Sequence, residues 1–381
     1  MDREFQIFIK PVGAACNLRC SYCYYLDRSS LYPETGRHLM SDDVLERYII
    51  QHIEASTDKV IMFSWHGGEP TLAGLDFYRK AVALQKKHLP SSYKIINGIQ
   101  TNGTLLDDDW CRFLSDQNFL VGISIDGPQE FHDKYRTVPD GKSVFGKVMK
   151  GYELLKKYNI TSEILCVLNS YNSLYPDKIY VFFKGLVAEY LTFLPLVERI
   201  PGSEPHVSSA SVNPPEYGKF LSVVFDEWVA KDIGKVRIQL FEESARTALR
   251  KQHALCVLKV TCGGVPVIEQ NGDFYSCDHF VDSGNLVGNI NITPLADLLD
   301  SPVQKSFGEA KRATLPRYCR ECEVLEMCNG ECPKNRFILT PDGESGLNYL
   351  CPGYKLFFNH CRPFIEALRL AQHNQQPATS N

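Results

Sequence analysis

Three cysteines near the start of the chain have the residue type and spacing of a metal-cluster site. Cys16, Cys20 and Cys23 are separated by three and two residues, on a loop that follows an apolar run at residues 5–12. Thiolates at this spacing can surround an iron–sulfur cubane, for which cysteine is the usual ligand. Three protein ligands leave one iron free to bind a small molecule, as an open position does in a catalytic zinc site. A zinc loop or three buried thiols is the alternative, although zinc normally has a fourth ligand nearby.

Eight further cysteines in the carboxyl-terminal part are enough to hold two complete four-cysteine clusters. They are Cys256, Cys262, Cys277, Cys319, Cys322, Cys328, Cys332 and Cys351. CxxC pairs also occur in zinc ribbons, so zinc is the alternative here as well. The remaining Cys111, Cys166 and Cys361 fall in apolar periodic segments and are predicted to be buried structural thiols.

The strand predicted at residues 60–65 is followed by two glycines. Gly67 and Gly68 lack side chains, so the backbone there can approach a ligand closely. Glu69 and Pro70 would set the turn that follows. A tight turn that needs glycine only for its own geometry is the alternative.

The amino-terminal two thirds of the chain alternate between apolar strand patterns and helical patterns. Strands are predicted at residues 5–12, 60–65, 93–100, 119–125, 163–168 and 190–197. Six strands separated by helices indicate parallel βα units and therefore an α/β fold. The loops that follow such strands collect at their carboxyl ends, where barrel enzymes place their active sites. The cysteine and glycine loops are therefore predicted to lie at one barrel mouth.

A second, cysteine-rich region is predicted beyond a boundary near residue 250. There the strands become short, and Asn271 followed by Gly272 predicts a hairpin turn. The predicted domains are residues 1–250 and residues 251–381. The second is expected to end in a helix and a polar, disordered tail after His373.

Composition and charge exclude several classes of partner. The 381 residues are 44% hydrophobic and 23% charged, as in ordinary globular proteins, and the net charge of -4 favours neither nucleic acid nor an acidic membrane. The first residues contain Asp2, Arg3 and Glu4 with no long apolar run behind them, so neither a secretory signal nor a transmembrane helix is predicted. We expect a cytoplasmic protein whose 14 cysteines serve metal binding or catalysis rather than disulfides.

The CxxxCxxC loop, with Tyr22 before its last cysteine, resembles the signature of the radical S-adenosylmethionine (radical SAM) enzymes. The resemblance implies a partial (β/α)6 barrel, a [4Fe-4S] cluster on the three loop cysteines and S-adenosyl-L-methionine as cofactor. The GGEP turn resembles the family motif that holds the methionyl amino group, which implies that Gly68 binds the cofactor. By the same resemblance, Tyr22, Ser124 and Arg136 meet the cofactor and Val197 touches its adenosine part. Ser124 could otherwise be an ordinary strand serine, and Arg136 a surface arginine.

The later cysteines resemble the SPASM extension of radical SAM enzymes that mature peptides and proteins. The resemblance implies two auxiliary [4Fe-4S] clusters, one bound by Cys256, Cys262, Cys277 and Cys332 and the other by Cys319, Cys322, Cys328 and Cys351. The expected fold is therefore an α/β partial barrel followed by a small SPASM domain that carries auxiliary clusters.

Five segments resemble the anaerobic sulfatase-maturating enzymes in particular: QTNGTLLDDDWCRFL, FLVGISIDGPQEFHD, GDFYSCDHFV, CNGECPKNRF and GLNYLC. These enzymes convert a cysteine or serine of a sulfatase to Cα-formylglycine (3-oxoalanine). The resemblance implies hydrogen abstraction by a 5'-deoxyadenosyl radical, deprotonation by Asp278 as catalytic base and electron transfer to the auxiliary clusters. Its implied partners are a sulfatase polypeptide with a CxPxR- or SxPxR-type site and a reduced flavodoxin or ferredoxin-like electron donor.

The sequence leaves two other interpretations open. Another SPASM maturase would form a thioether or a carbon–carbon crosslink in a ribosomal peptide. A zinc-stabilised binding protein without catalysis would leave the GGEP and GISIDGP turns unexplained. For Asp278, hydrogen bonding to a turn is the alternative to a role as base.

Overall fold

A computed structural model describes residues 3–32, 39–202 and 206–375. The last helix continues to Gln375, so residues 374 and 375 of the predicted disordered tail are helical, and residues 376–381 lie outside the described residues. No helix within these ranges combines the length and the apolar character that a membrane crossing requires.

The strands are short, and most alternate with helices along the chain. Those in the described residues are β1 Phe8–Ile9, β2 Val60–Trp65, β3 Lys94–Thr101, β4 Leu120–Ser124, β5 Ser162–Leu168, β6 Tyr190–Pro195, β7 Arg237–Ile238, β8 Val267–Ile268, β9 Asp273–Tyr275, β10 Leu286–Asn289, β11 Arg336–Leu339 and β12 Ser345–Asn348. The corresponding α-helices are α1 Asp42–Ala55, α2 Leu75–His88, α3 Asp108–Asp116, α4 Gln129–His132, α5 Phe145–Lys157, α6 Pro176–Gly185, α7 Pro214–Lys231, α8 Gln239–Ala248, α9 Leu295–Leu299, α10 Pro302–Ala313, α11 Arg317–Arg320, α12 Leu325–Cys328 and α13 Cys351–Gln375.

Several helices begin where a polar side chain satisfies the free amides of the first turn. Ser41 accepts a hydrogen bond from the backbone of Val44 at the start of α1, as its position before an amphipathic pattern predicts. Asp107 caps α3 in the same way. Helix α6 begins at Pro176, because proline at the first position already has the helical φ and lacks only an amide hydrogen that would be unpaired there.

The chain forms two compact units. The first contains residues 1–125, 132–164 and 263–309, and the second contains residues 126–131, 165–262 and 310–381. Each unit is therefore built from segments distant in the sequence, and strand β5 contributes residues to both. The division at residue 250 was inferred from a change in sequence pattern, and it stays a prediction.

The first unit contains a sheet in which the hydrogen-bonded order of strands is β10-β9-β8-β1-β2-β3-β4. The pairs β1–β2, β2–β3 and β3–β4 are parallel, as the alternation of strands and helices predicts. Strand β8 pairs in parallel with the other side of β1 and then turns back through the predicted hairpin into β9. A segment from far along the chain thus lies beside β1.

Strand β1 is much shorter than the predicted strand at residues 5–12. It ends at Ile9 because Pro11 has no amide hydrogen to continue the ladder and Gly13 has a positive φ of 57°. Backbone pairing with the β8 segment extends past both ends of the strand, where Gln6 N donates to Gly264 O (2.8 Å) and Lys10 N donates to Ile268 O (2.9 Å). The chain therefore turns into the cysteine loop directly after Lys10.

The second unit is mainly helical and contains an antiparallel hairpin formed by β11 and β12. Helices α7 and α13 approach each other closely at two glycines, since a Cβ on Gly218 would lie 2.5 Å from the carbonyl oxygen of Gly353. Phe225, Phe241 and Phe357 pack ring against ring in the core that α7, α8 and α13 share. This core supports the loops that carry the later cysteines.

Candidate functional site

The first cysteine loop is fixed by backbone hydrogen bonds to the segment around residue 136. Arg19 N donates to Thr137 O (2.8 Å), and Ser21 N donates to Tyr135 O (3.0 Å). All three cysteines of the loop are half-buried. Burial raises the pKa of the Cys16 thiol to about 12, so metal binding there must displace a proton.

The glycine turn after β2 lies directly against the start of this loop. Gly68 N donates to Gly13 O (2.9 Å), and Glu69 N donates to Ala15 O (2.8 Å). A Cβ on Gly68 would lie only 2.1 Å from the Ala15 carbonyl oxygen. Glycine is therefore needed here for close approach of the two loops, and this packing positions the turn that the sequence predicts to bind the cofactor.

Glu69 is fully buried and joins the glycine turn to the loop after β3. Its carboxylate accepts hydrogen bonds from Thr71 N (3.0 Å), Thr71 Oγ1 (2.6 Å), Thr101 Oγ1 (2.7 Å) and Asn102 N (2.7 Å). Burial raises the pKa of Glu69, and these donors act in the opposite direction. The residue thus holds two loops of the predicted mouth together.

Two of the predicted cofactor residues are in contact with each other. The Arg136 guanidinium carbon lies 5.4 Å from the centre of the Tyr22 ring, a cation–π distance, and both side chains are buried. Ser124 is the last residue of β4, and its hydroxyl accepts a hydrogen bond from Gln100 Nε2 (3.2 Å). Val197 belongs to the second unit, where its carbonyl accepts a hydrogen bond from Lys334.

Asp278 lies in a charged, largely buried environment beside the first cysteine loop. Lys10 Nζ lies 2.5 Å from Asp278 Oδ1, as an ion pair and not a directional hydrogen bond, and the Tyr24 hydroxyl donates to Oδ2. Lys10 is fully buried, whereas the Tyr24 ring is 46% exposed with its hydroxyl turned inward. Lys10 Nζ also lies 2.9 Å from His66 Nδ1 and 4.1 Å from the centre of the Tyr25 ring.

These contacts decide the charge state of the site. Burial is the largest influence on the pKa of Asp278 and tends to raise it, but the neighbouring groups Lys10, His66 and His279 together outweigh burial and lower the pKa well below its ordinary value. Burial, then the Lys10 charge, lower the pKa of His66 to about 3. His66 is therefore neutral near pH 7, and its Nδ1 accepts a hydrogen bond from Lys10. Asp278 is thus a carboxylate with fixed orientation, able to accept a proton.

Four cysteines of the second unit surround one cavity. Cys319, Cys322, Cys328 and Cys351 line one cavity, together with Tyr318, Val324, Leu325, Gly330, Tyr354 and Lys355. Four thiols around one space fit the ligand set of a cubane. Cys256, Cys262 and Cys332 also belong to this unit, and Cys277 belongs to the first unit.

Within the described ranges, no group of three or more His, Cys, Asp or Glu side chains closes around one metal-ion position. The sulfur ligands of a cubane bind different irons, so they stand farther apart than the ligands of one ion. A four-cysteine cluster site does not require such a group. The other three cysteines, Cys111 in α3, Cys166 in β5 and Cys361 in α13, are buried at 0%, 1% and 0% exposure, which agrees with the structural role expected of them.

Known proteins resemble this chain along nearly its whole length. Residues 11–172 match the Radical SAM superfamily, and residues 262–323 match SPASM, an iron–sulfur cluster-binding domain. A serine-type anaerobic sulfatase-maturating enzyme of Bacteroides thetaiotaomicron is 46% identical over 387 aligned residues, which cover 98% of this chain and 93% of that enzyme. The chain belongs to the anaerobic sulfatase-maturating enzymes.

Other members of this sulfatase-maturating family agree. A cysteine-type enzyme of Clostridium perfringens is 34% identical, over 94% of this chain and 96% of that enzyme. The solved structure of native anSMEcpe with bound AdoMet and Cp18Cys peptide has a TM-score of 0.87 and 33% identity, over 97% of this chain and 99% of that chain. These matches confirm the predicted α/β partial barrel followed by a SPASM domain, the oxidative enzyme class, and S-adenosylmethionine and [4Fe-4S] clusters as cofactors.

Sequence reasoning missed several residues of this sulfatase-maturating enzyme. Lys10 and Tyr24 hold Asp278, and Glu69, expected only to set a turn, also joins two loops. Glu269 is a further buried carboxylate, which accepts a hydrogen bond from the Tyr25 hydroxyl and whose pKa burial raises to about 7. Of these residues, Lys10 alone could have been identified from the sequence. A lysine that follows an apolar strand next to a metal-binding loop is expected to be buried and to pair with a carboxylate.

Proposed function

We propose that this chain oxidises a cysteine or serine side chain of a sulfatase polypeptide to Cα-formylglycine. Family membership supports the reaction, and both serine-type and cysteine-type relatives match, so the proposal includes both side chains. The observation that carries it is the Asp278 carboxylate, held by Lys10 and Tyr24 beside the first cysteine loop. A base fixed next to the radical-generating cluster is what the oxidation requires.

The proposed cofactor sites follow the sequence assignments. Cys16, Cys20 and Cys23 would bind the first cluster, Cys256, Cys262, Cys277 and Cys332 the second, and Cys319, Cys322, Cys328 and Cys351 the third. Tyr22, Gly68, Ser124, Arg136 and Val197 would bind S-adenosylmethionine. When bound, these groups supply a 5'-deoxyadenosyl radical and an outlet for one electron.

The chain's own residues position the substrate proton acceptor. Asp278 takes the thiol or hydroxyl proton of the substrate residue once its β-hydrogen has been removed. Lys10 keeps this carboxylate ionised, and Tyr24 orients it by donating to Oδ2. Because Asp278 is only 7% exposed, little bulk water competes for the same proton transfer.

The proposed partners follow from this chemistry. The substrate is a sulfatase polypeptide that presents a CxPxR- or SxPxR-type site, and reduced flavodoxin or a ferredoxin-like protein donates electrons. A reducing compartment suits a chain whose 14 cysteines serve metal binding rather than disulfides, which favours the cytoplasm. We also retain residues 1–250 and 251–381 as the proposed sequence domains.

The experiment compares two peptides that differ only in the target residue, CxPxR and SxPxR, with the anaerobically reconstituted holoenzyme. We expect both peptides to yield an aldehyde and one 5'-deoxyadenosine for each aldehyde formed, because one hydrogen abstraction starts each turnover. Products are measured by mass spectrometry after derivatisation of the aldehyde. A peptide with an intact carbon skeleton but a new thioether or carbon–carbon bond would instead assign the chain to the crosslinking maturases.

A further inference from the structure

Two cations lie among the cysteine-bearing loops of the second unit. Lys311 is only 1% exposed, and its Nζ donates hydrogen bonds to the carbonyls of Cys256 (3.1 Å) and Val257 (2.7 Å). The half-buried Arg336 donates from Nη1 to the carbonyl of Lys311 (2.5 Å). The Arg336 side chain is therefore bonded to the backbone of the residue whose side chain binds Cys256 and Val257, and we call Lys311 and Arg336 together the cationic brace.

Arg336 also binds the loop between Cys328 and Cys332. Its Nε and Nη2 donate to all three carbonyls of residues 329–331, at 2.8 Å and 3.0 Å. Lys311 of the brace thus contacts the segment that precedes Cys262. Arg336 contacts a loop that begins after Cys328, assigned to one auxiliary cluster, and ends at Cys332, assigned to the other.

No carboxylate forms an ion pair with either cation in the part of the chain that the structure describes. The carboxylate of Glu331 is near enough to act on both, but it accepts its hydrogen bonds from Asn335 (3.2 Å) and Asn348 (2.6 Å). Burying a cation without a paired anion is costly, so a bound anion in this region would stabilise the brace.

Both cations bind the backbone of segments that carry cysteines proposed as cluster ligands. Lys311 Nζ donates to the carbonyl of Cys256 itself (3.1 Å), and Arg336 donates to the loop between Cys328 and Cys332. Cys256 and Cys332 are assigned to one auxiliary cluster and Cys328 to the other. The brace therefore adjoins ligand segments of both proposed clusters.

We propose that Lys311 and Arg336 are positioning residues that raise the reduction potentials of both auxiliary clusters and so make them acceptors for the substrate's electron. The inference rests on the proposed function and on the cluster ligands assigned there. Net charge and hydrogen bonding near a cluster are among the factors that set its potential, and a fixed positive charge favours the reduced, more negative state. Arginine suits this role because its guanidinium stays protonated at all relevant pH values.

The substrate carbon radical has lost one hydrogen atom to the 5'-deoxyadenosyl radical and one proton to Asp278. It then loses one electron and becomes the aldehyde, or the thioaldehyde that water hydrolyses. An oxidised auxiliary cluster takes up that electron and passes it to an external carrier of the flavodoxin or ferredoxin class.

The test is an EPR-monitored redox titration of the auxiliary clusters. It uses the full chain with Cys16, Cys20 and Cys23 replaced by alanine, so that only the auxiliary clusters contribute to the signal. Arg336→Gln and Lys311→Met each remove one charge, Arg336→Lys keeps the charge, and Arg369→Gln removes an exposed arginine of the same unit that pairs with Glu326.

We expect Arg336→Gln and Lys311→Met to disfavour cluster reduction about tenfold, which for one electron is a shift of about 59 mV to more negative potential. Arg336→Lys and Arg369→Gln should stay near the parent. Unchanged potentials in both charge-removing variants would overturn the inference. If Arg336→Gln loses auxiliary iron, the potentials of Lys311→Met alone decide whether the inference holds. Methionine nearly matches the length of the lysine stem, so this variant removes the charge with little change in packing.

The proposed function can fail separately from this inference. Aldehyde formation is measured separately, in the holoenzyme that retains Cys16, Cys20 and Cys23. Potentials that shift as expected, with no aldehyde from that holoenzyme, would support the brace and reject the reaction. Potentials that do not shift, with aldehyde formed by that holoenzyme, would reject the brace and leave the reaction standing.

Discussion

At the residue scale, the active-site proposal depends on how one carboxylate is held. Asp278 follows a cysteine that was identified from its spacing, but nothing nearby in the sequence shows that a lysine 268 positions earlier would pair with it. A buried ion pair contributes little net stability, yet removing one partner leaves a charge buried and uncompensated. Lys10 is therefore expected to matter for the free energy of unfolding and for catalysis alike.

We predict that Lys10→Met lowers the free energy of unfolding by about 3–5 kcal/mol, because Asp278 would stay buried without its counter-ion. The double variant Lys10→Met with Asp278→Asn should recover part of this loss, since no charge is then left unpaired. Chemical denaturation of the anaerobic holoenzyme measures both. Equal losses in the single and double variants would contradict the ion pair as the cause.

At the element scale, the β8–β9 hairpin determines where Asp278 lies. Local signals predicted the hairpin turn at Asn271 and Gly272, and they predicted most helices and strands of the first half of the chain. Local signals could not show that β8 pairs with β1, because the paired residues Phe8 and Val267 lie 259 positions apart in the sequence. The same pairing places Lys10, Tyr25 and Glu269 together, which is why sequence reasoning did not group them.

The glycine turn offers a test of loop packing. We predict that Gly68→Ala impairs the first cluster, because the new Cβ would lie 2.1 Å from the carbonyl oxygen of Ala15 and the two loops would have to separate. Overpacking of this kind typically costs about 1–3 kcal/mol. Iron content and the free energy of unfolding are the measurements.

Gly98→Ala is the matched control in the same sheet, since the nearest atom to its Cβ would be 3.9 Å away. Full iron content and unchanged stability in Gly68→Ala would show that the two loops adapt and that their close contact is not required.

At the scale of the whole molecule, the chain is expected to carry three clusters in two units. Cysteine spacing identified the candidate cluster cysteines in the sequence, because cluster loops need little more than close thiols. The division of the later eight into two ligand groups came from the resemblance to SPASM enzymes and not from spacing. The interleaving of the units could not be predicted, because it follows from tertiary pairing of residues 263–309 with the amino-terminal sheet.

We predict about twelve irons in the anaerobically reconstituted protein, from three cubanes of four. Replacing Cys16, Cys20 and Cys23 together by alanine should remove about one third. Serine at Cys111, Cys166 or Cys361 should leave the count unchanged, because these thiols are in apolar cores away from the cysteine loops. Iron and zinc analysis of the parent and of each variant measures these counts. A metal content dominated by zinc would reject the cluster assignment.

The central claim is that Asp278 accepts the substrate proton in a radical oxidation that forms formylglycine. Its most direct test measures 5'-deoxyadenosine and aldehyde in the same anaerobic reaction with a CxPxR peptide, for the parent enzyme, for Asp278→Asn and for Asp282→Asn as a control on the same segment. We predict that Asp278→Asn keeps all three clusters and still cleaves S-adenosylmethionine, while aldehyde falls about 10²–10⁴-fold, the usual loss for a positioned general base. Aldehyde at the parent level from Asp278→Asn, or loss of its iron, would contradict the account.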